Sequence, residues 1–407
     1  MRRLFPASVI LLLLALSPIL YAQDLPQRDT SLQAKIAEWQ RAAGQGDADA
    51  QCRLGKLYSD GVEVEADLEQ AFYWFTKAAE GGSIDAAAAL STYYCFGRGV
   101  VSVDYTEAAR WCRIAAEAGH SGAQNRMGWL YESGYGGLEK SYEEAMKWYK
   151  LGADNGSSMA LANIGNLYKN GWGVEQDYET ALSYIQKAVD RDNSFAFYLM
   201  GIMYEFGFAV GPSPEEAYKW YLKGAEAEEG RAQEKVAYFM RNGKGCKKDL
   251  KGAAEWYRKA IQNGQENDYY PLGTLLYEMG DYFEAVTCFQ EAHLRNYRGA
   301  ATFLGYCYEK GHGVPLSLYQ ALSLYQEDAD AGHAEAYYYL GRMYEKSEVH
   351  SMKEAKANLK KIQACYETGA GLGSKKAQQR LNELKTTGVT IRFVNKNGFE
   401  VTYSTTL

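Results

Sequence analysis

Small and apolar residues recur along most of the chain with a period of about 36 residues. Each copy reads close to L-G-x-L-Y, and an aromatic side chain three positions after the small residue shares its helix face. The small residue, called the anchor below, stands at Gly55, Ser91, Gly128, Gly165, Gly201, Ala237, Gly273, Gly305 and Gly341. A period of this length, held over nine copies, predicts a solenoid.

A second helical segment follows in each copy and opens with an alanine. These alanines are Ala71, Ala108, Ala145, Ala181, Ala217, Ala253, Ala285, Ala321 and Ala355. Tryptophan commonly stands three positions later, and Phe, Tyr or another apolar residue four positions later. Small residues let two helices approach closely, and the larger side chains fill the space between them. Each copy is therefore predicted to be a helical hairpin.

Paired glycines lie between the two helical segments. In the stretch "NIGNLYKNGWGVEQDYETALSYIQKA", residues 163–188, they are Gly171 and Gly173, followed by the apolar Val174. A chain that ends one helix and reverses needs positive φ, which glycine adopts without strain. A phosphate-binding role would require a preceding strand, and the pattern predicts none.

The period changes near the C-terminus. The stretch "VTIRFVNKNGFEVTYST", residues 389–405, alternates in twos and is rich in β-branched and aromatic residues. We predict a β-hairpin with its turn at Lys396, Asn397 and Gly398.

That turn predicts the pairing of the two strands. Phe393 would face Val401, and Ile391 would face Tyr403, so that one face of the hairpin is apolar. An isolated hairpin is marginally stable in water and needs a surface to pack on. We expect it to pack on a closing helix at 375–385, with contact to a partner as the alternative.

The combination of L-G-x-L-Y, G-x-G-V and A-x-x-W-Y-x-K-A resembles the Sel1-like repeat family, relatives of tetratricopeptide repeats with a longer loop. The resemblance covers residues 48 to about 374. It implies an all-α, right-handed α/α solenoid of about nine hairpins, here with a short C-terminal β-hairpin tail. One unit, "LGTLLYEMGDYFEAVTCFQEA" at 272–292, lacks four loop residues, and the last unit lacks the loop glycines.

The repeat also predicts the segment boundaries. Residues 23–47 would hold a leading helix, 375–385 the closing helix and 386–407 the tail. Between them, 48–374 would form the solenoid, with units at 48–83, 84–120, 121–157, 158–193, 194–229, 230–265, 266–297, 298–333 and 334–374.

The first 22 residues have the pattern of a secretory signal peptide. Arg2 and Arg3 precede an apolar run at 9–16, and Ala22 is a small residue suited to cleavage. The run is short for a membrane span. We therefore expect a periplasmic or secreted mature chain without a membrane span, and an uncleaved N-terminal anchor is the alternative.

Composition and charge narrow the class of partner. Hydrophobic residues make up 47% of the chain and charged residues 23%, so it has enough apolar surface to fold. The formal net charge is −7, and removal of two arginines with the signal peptide makes it −9. We expect no nucleic-acid partner, because phosphate binding needs an excess of Lys and Arg.

The sequence contains no common catalytic or metal-binding motif. G-x-S-x-G, H-E-x-x-H, Walker A and S-x-x-K patterns are absent, and the five histidines are scattered. We therefore predict that the protein is not an enzyme and has no catalytic, cofactor-binding or metal-binding residues.

Seven cysteines leave at least one without a partner inside the chain. Cys288 and Cys307 lie at similar distances from the turn near Asn296 and are the candidate disulfide. The alternative is two buried thiols that pack as small apolar side chains.

The resemblance also implies a binding surface. In tetratricopeptide hairpins the first helix lines a concave groove, and the matching positions here are Asn125, Trp129, Asn166, Tyr198, Phe206, Tyr238, Tyr270, Tyr306 and Tyr338. Rings with polar tips and amides suit a protein or peptide partner. The alternative is that these rings serve ordinary hairpin packing, since tyrosine is abundant throughout.

The predicted function is that of an exported, non-enzymatic scaffold or adaptor that mediates protein–protein interaction in the bacterial envelope. The resemblance implies envelope signalling, exopolysaccharide assembly or host interaction without choosing among them. Two alternatives stay open. One is a β-lactam-binding or weakly β-lactamase-like protein, and the other is a glycan-binding module with a polysaccharide partner.

Overall fold

The computed structural model describes residues 30–62, 64–394 and 400–405. These residues form twenty α-helices and one two-stranded sheet. They fall into two compact units, one ending at Ala188 and the other beginning at Val189. The predicted signal peptide at 1–22 and the predicted turn at 396–398 lie outside the described residues.

The first unit contains a leading helix, α1 (Thr30–Gly44), and four hairpins. The hairpins are α2 (Ala48–Asp60) with α3 (Leu68–Glu80), α4 (Ile84–Phe96) with α5 (Tyr105–Glu117), α6 (Ser121–Ser133) with α7 (Tyr142–Asp154), and α8 (Ser158–Asn170) with α9 (Tyr178–Val189).

The second unit contains five hairpins, a closing helix and the tail. The hairpins are α10 (Ser194–Phe206) with α11 (Pro214–Glu226), α12 (Gly230–Asn242) with α13 (Leu250–Gln262), α14 (Tyr269–Met279) with α15 (Tyr282–Leu294), α16 (Ala300–Lys310) with α17 (Leu318–Asp330), and α18 (Ala334–Glu345) with α19 (Met352–Gly371). A short 3-10 turn, Glu266–Asp268, precedes α14, and the closing helix is α20 (Lys375–Thr387).

The anchor residue is the place where the second helix packs on the first. A Cβ built on Gly128 would lie 2.5 Å from the ring of Tyr149, and one on Gly273 would lie 2.8 Å from Phe289. Both rings are fully buried. The predicted role of the small residue in close helix packing is confirmed at these positions.

Most second helices begin where a serine or aspartate caps them. The Ser141 hydroxyl accepts the backbone N–H of Glu144 at 3.1 Å, and Asp249 accepts that of Gly252 at 3.0 Å. Each cap satisfies a donor that the first helical turn leaves without a partner. The caps fix where the loop ends and the second helix starts.

The loop glycines adopt the predicted left-handed conformation, with φ of 69° at both Gly136 and Gly171. The second glycine of the pair also approaches the preceding hairpin. A Cβ on Gly136 would lie 2.5 Å from the carbonyl oxygen of Tyr105, at the start of α5. The loop therefore joins neighbouring hairpins as well as the two helices of its own.

The tail consists of β1 (Val389–Val394) and β2 (Glu400–Thr405), paired antiparallel. Phe393 faces Val401 and Ile391 faces Tyr403, which confirms the predicted register. Ile391 is buried and belongs to the same apolar cluster as residues of α19 and α20. The tail therefore packs on the closing helix as expected.

The fold class predicted from the repeat is confirmed. The described residues form an all-α solenoid of Sel1-like and tetratricopeptide-like hairpins, followed by a small antiparallel sheet. The core is built locally, because each apolar cluster draws on neighbouring hairpins. Within each unit, successive hairpins therefore place their first helices side by side.

Candidate partner-binding face

Polar side chains join successive first helices of the first unit. Lys56 Nζ on α2 lies 2.7 Å from Asp85 Oδ2 on α4, and their hydrogen bond raises the pKa of Lys56 and lowers that of Asp85. Arg126 on α6 donates to the Ser91 hydroxyl on α4 at 2.8 Å. We call the surface formed by the successive first helices of a unit its first-helix face.

Asn125 and Asn166, two residues predicted for the groove, lie on this face and are half-buried. The Asn163 amide on α8 donates to Asn125 Oδ1 on α6 at 2.9 Å. Asn170 donates to Asn166 Oδ1 at 3.1 Å. The amides thus form a row along α6 and α8 that solvent reaches.

Trp129 also lies on α6 but packs against other rings. Its ring meets Tyr105 edge-on at 6.1 Å and Tyr135 at 5.5 Å between centroids. Tyr105 and Tyr135 stack on each other at 4.2 Å. Trp129 is therefore half-buried in a ring cluster at the junction of two hairpins, as the packing alternative proposed.

Phe206 and Tyr238 are the most exposed of the predicted groove residues. The exposed fraction is 57% for Phe206 on α10 and 46% for Tyr238 on α12. Tyr198, by contrast, is half-buried, with its ring 6.1 Å from Phe195 and 5.4 Å below the Arg231 guanidinium. Burial raises the pKa of Tyr198.

The last three predicted rings are half-buried in clusters. Tyr270 on α14 stacks on Tyr297 at 4.6 Å, and burial raises its pKa to about 12. Tyr306 on α16 and Tyr338 on α18 both contact Tyr339, at 5.6 and 5.2 Å. The structure thus connects Tyr306 and Tyr338 through a ring that the groove prediction did not include.

Pairs of a buried tyrosine with a glutamate were not predicted from the sequence. The Tyr149 hydroxyl donates to Glu132 at 2.7 Å, and the Tyr221 hydroxyl donates to Glu205 at 2.6 Å. In each pair the glutamate lies four residues after the anchor, on the first helix, and the tyrosine lies on the second. The pair joins the two helices through a charge-assisted hydrogen bond.

Glu205 also binds the next hairpin. Lys235 Nζ on α12 lies 3.0 Å from its carboxylate, and Lys244 Nζ lies 2.8 Å away. Burial acts to raise the pKa of Glu205, but the bonds from Lys244, Tyr221 and Lys235 outweigh burial and hold the pKa below its usual range. The carboxylate therefore stays ionised and links two hairpins.

The sequence contains a signal for these pairs. A glutamate four residues after the anchor occurs with a tyrosine four residues after the repeat alanine in the pairs Glu132 with Tyr149, Glu205 with Tyr221, and Glu309 with Tyr325. Neither the glutamate nor the tyrosine indicates a contact by itself. Their hydrogen bond is indicated only when both occur in the same hairpin.

Thr302, Asp328 and His333 form a cluster that has the residue types of a catalytic triad. The Thr302 backbone N–H donates to the Asp328 carboxylate at 3.1 Å, and His333 Nδ1 lies 3.0 Å from the same group. The Thr302 hydroxyl also bonds to this carboxylate. Burial raises the pKa of Asp328, but these partners lower it overall. The hydroxyl is held by the acid itself, so the cluster ties α16 to α17.

All seven cysteines are free in the structure, which corrects the candidate disulfide between Cys288 and Cys307. Both side chains are buried in the apolar cluster around α14 to α16. Cys288 faces α14, where its Cβ lies 3.1 Å from a Cβ built on Gly273. Burial raises the pKa of both thiols to about 12, so they pack as small apolar groups.

A metal-binding cluster and a membrane-spanning helix are both absent from the described part of the chain. Within 30–62, 64–394 and 400–405, no three His, Cys, Asp or Glu side chains are grouped to hold a metal ion. Among the helices of these same residues, none combines the length and the apolar character that crossing a membrane requires.

A protein-family model described as Sel1 repeat matches most of the chain. The matched segments are 48–83, 84–120, 121–157, 158–193, 194–228, 230–265, 299–333 and 334–359. The interval between 265 and 299 contains the hairpin α14–α15, whose loop has only two residues. No curated protein matches the chain.

Solved structures of similar proteins include two from bacteria. A protective antigen present in uropathogenic Escherichia coli strains, which displays an SLR fold, is 29% identical over 87% of this chain and 75% of its own, with a TM-score of 0.59. A Sel1 repeat protein from Oxalobacter formigenes is 26% identical over 77% of this chain and 92% of its own, with a TM-score of 0.47.

Proposed function

Because the chain belongs to the Sel1 repeat family, we propose that it is a non-enzymatic scaffold that binds a protein partner in the bacterial envelope or outside the cell. Sel1 repeat proteins generally mediate protein–protein interactions, and their solenoid is typically a non-catalytic scaffold. Stacked repeats can bind a partner on the surface of their helices and need no enclosed pocket.

The first-helix face supports this proposal. In the first unit it offers the half-buried amides of Asn125 and Asn166, which can donate to and accept from a peptide backbone. In the second unit it exposes the apolar rings of Phe206 and Tyr238. The exposure of these two rings, on a face whose other predicted rings pack in clusters, is the single observation that carries the proposal.

The location rests on separate support. The N-terminal pattern at 1–22 has the features of a secretory signal. The similar protein from uropathogenic E. coli is a protective antigen. Both are compatible with a role of this chain at or beyond the cell envelope.

The proposal is tested by replacing both Phe206 and Tyr238 with alanine. We expect proteins retained from envelope extracts by the immobilised chain to be lost, while the melting temperature stays nearly unchanged because the two rings are exposed. Quantitative mass spectrometry of the retained proteins and circular dichroism measure the two effects. Trp129 and Tyr198 are unsuitable targets, since they pack in ring clusters.

Tyr73→Ala provides the matched control. Tyr73 is 50% exposed but lies on a second helix, α3. The Tyr73→Ala variant should retain the same proteins as the unmodified chain. If the unmodified chain, the double variant and the Tyr73→Ala variant all retain the same proteins, a partner site on the first-helix face is contradicted. If soluble polysaccharide abolishes retention, the ligand is a glycan instead.

A further inference from the structure

Asp268 stands at a position where every other repeat has an alanine. Five residues before the anchor, the other eight repeats have Ala50, Ala86, Ala123, Ala160, Ala196, Ala232, Ala300 and Ala336. All eight alanines are buried. Asp268 is buried as well, with an exposed fraction of 3%. A carboxylate therefore occupies a place that needs only a methyl group for the packing of the repeat.

The Asp268 carboxylate contributes neither to the helix start nor to the core. Asp268 directly precedes α14, but its side chain makes no hydrogen bond that caps this helix. Its Oδ2 is enclosed and has no hydrogen-bond partner among the described residues. A buried polar atom without a partner lowers the free energy of unfolding. A side chain kept at this cost is expected where a ligand completes the site.

Glu234 on α12 faces the segment that carries this carboxylate. Gly230, one helical turn before Glu234, lies against the loop before α14, where its Cβ would be 3.0 Å from the side chain of Gln265. Arg241, two turns after Glu234, donates to Thr274 on α14 at 2.9 Å. Residues at these spacings share one side of a helix, so Glu234 lies between the two contacts.

Glu234 is also unusual among the repeats. It lies three residues before the anchor, on the first-helix face, where the other repeats have Cys52, Ala88, Asn125, Ala162, Tyr198, Tyr270, Thr302 and Tyr338. None of these residues is acidic. The junction of α12 and α14 thus brings together two carboxylates, at positions that carry no acid in any other repeat.

The cations of α12 are engaged elsewhere. The side chain of Arg231 lies 2.9 Å from Glu229, and that of Lys235 lies 3.0 Å from Glu205. Arg241 is bound to two side chains of α14. None of these three cations forms an ion pair with either of the two carboxylates. Their negative charge is therefore open to a cation from outside the chain.

Tyrosine rings lie close to the two acids. Tyr238, one turn after Glu234 on α12, is 46% exposed. Burial raises the pKa of Tyr257 on α13, and the charges of Asp268 and Glu234 add to this rise. Burial and, to a smaller extent, the charge of Glu234 also raise the pKa of Tyr198 on α10.

This combination favours an organic cation over a metal ion. The faces of tyrosine rings attract ammonium and guanidinium groups. A calcium ion takes six to eight oxygen ligands, and two carboxylates supply too few of them. An ammonium or guanidinium group needs only one or two acids, to which it donates charge-assisted hydrogen bonds.

We propose that Glu234 and Asp268 bind a lysine or arginine side chain of the protein partner. The basic side chain would bond to Glu234, which is half-buried, and supply the positive charge that Asp268 lacks. The inference rests on the proposed function, because it requires a protein partner on the first-helix face near Tyr238. It adds the chemistry by which that partner is recognised.

n-Butylammonium, which reproduces the end of a lysine side chain, is the probe. We expect saturable binding to the purified protein at pH 7 and constant ionic strength. Burial and the charge of Glu234 raise the pKa of Asp268 to about 8, so binding should release a proton. Isothermal titration calorimetry in phosphate and in Tris measures the dissociation constant and the protons released. n-Butanol, which has the same carbon chain without the charge, should not bind.

Glu234→Gln and Asp268→Asn each remove one negative charge and keep the shape of the side chain. Each should weaken n-butylammonium binding at least about tenfold, and Asp268→Asn should abolish the proton release. Glu255→Gln is the control, because Glu255 is exposed on α13 and lies two residues before Tyr257, on the other side of the helix. Circular dichroism melting shows whether each variant is folded.

Three results would overturn the inference: no saturable binding of n-butylammonium, binding that Glu234→Gln and Asp268→Asn leave unchanged, or equal binding of n-butanol. Retention of envelope proteins separates the two proposals. If the Phe206 and Tyr238 double variant loses the retained proteins while Glu234→Gln and Asp268→Asn keep them, the partner site on the first-helix face stands and the basic side chain is not part of the contact.

Discussion

Asp268 is a buried carboxylate in an unfavourable environment. It is 3% exposed, and its Oδ2 has no hydrogen-bond partner among the described residues. Burial, together with the charge of Glu234, raises its pKa to about 8. Between about pH 4, where the unfolded carboxyl titrates, and pH 8, the folded chain holds a proton that the unfolded chain has lost. Its contribution to stability therefore falls as pH rises through this window.

We predict that Asp268→Asn stabilises the protein at pH 7.5 by about 1–3 kcal/mol, because it removes the cost of a buried acid without a partner. The gain should shrink towards pH 4, where Asp268 is protonated in both states. Urea denaturation at the two pH values measures it. Asp281→Asn, at an exposed site, should change little, and an equal gain at both pH values would contradict the argument.

Gly136 and Gly137 allow the cost of positive φ to be separated from the cost of a clash. Their φ values are 69° and 74°, but a Cβ on Gly136 would lie 2.5 Å from the Tyr105 carbonyl oxygen, whereas one on Gly137 would meet nothing within 4 Å. Alanine at Gly137 should cost about 1–2 kcal/mol from backbone strain alone.

Alanine at Gly136 should cost at least about 1 kcal/mol more, because the hairpin must also move off the start of α5. Chemical denaturation of the two variants gives the difference directly. Equal losses would show that the contact with Tyr105 does not restrict the loop.

At the scale of the element, the tail provides a test of how an added sheet stabilises a helical array. Val389 and Ile391 are each 5% exposed and share a cluster with Leu381 and Leu384 of α20. A chain ending at Lys385 loses both strand residues and exposes the two leucines.

We predict that this truncation lowers the free energy of unfolding by about 3–5 kcal/mol, from the loss of two buried aliphatic side chains. Thermal melting and urea denaturation measure the loss. Thr390→Ala, on the exposed face of β1, should have little effect. Unchanged melting with lost partner capture would assign the tail to binding instead.

The sequence predicted the features that depend on residues close together in the chain. The anchor glycine and the ring that packs on it are set by spacing within one hairpin, as for Gly128 and Tyr149. The register of Ile391 with Tyr403 follows from the length and position of the predicted turn between the strands. The Tyr221–Glu205 pair was missed, because it joins two helices that the repeat aligns separately.

At the scale of the whole molecule, the candidate site was predicted only in part. All nine proposed groove residues lie on first helices, but Trp129 and Tyr270 are packed in ring clusters while Phe206 and Tyr238 are exposed. Position within a repeat determines the helix face on which a residue lies. Its exposure depends on the side chains of the neighbouring hairpin, which a single repeat does not contain.

The contact between a loop glycine and the preceding helix has a consequence for how such a gene can change. Gly136 against Tyr105 and Gly173 against Tyr142 are the same junction used twice. Duplication of one segment of about 36 residues recreates that junction without any further substitution, because each hairpin meets only its neighbours. Recombination can therefore lengthen or shorten the interior of the array freely. The loop at 346–351 contains no glycine, so duplication of the last hairpin would not recreate this junction.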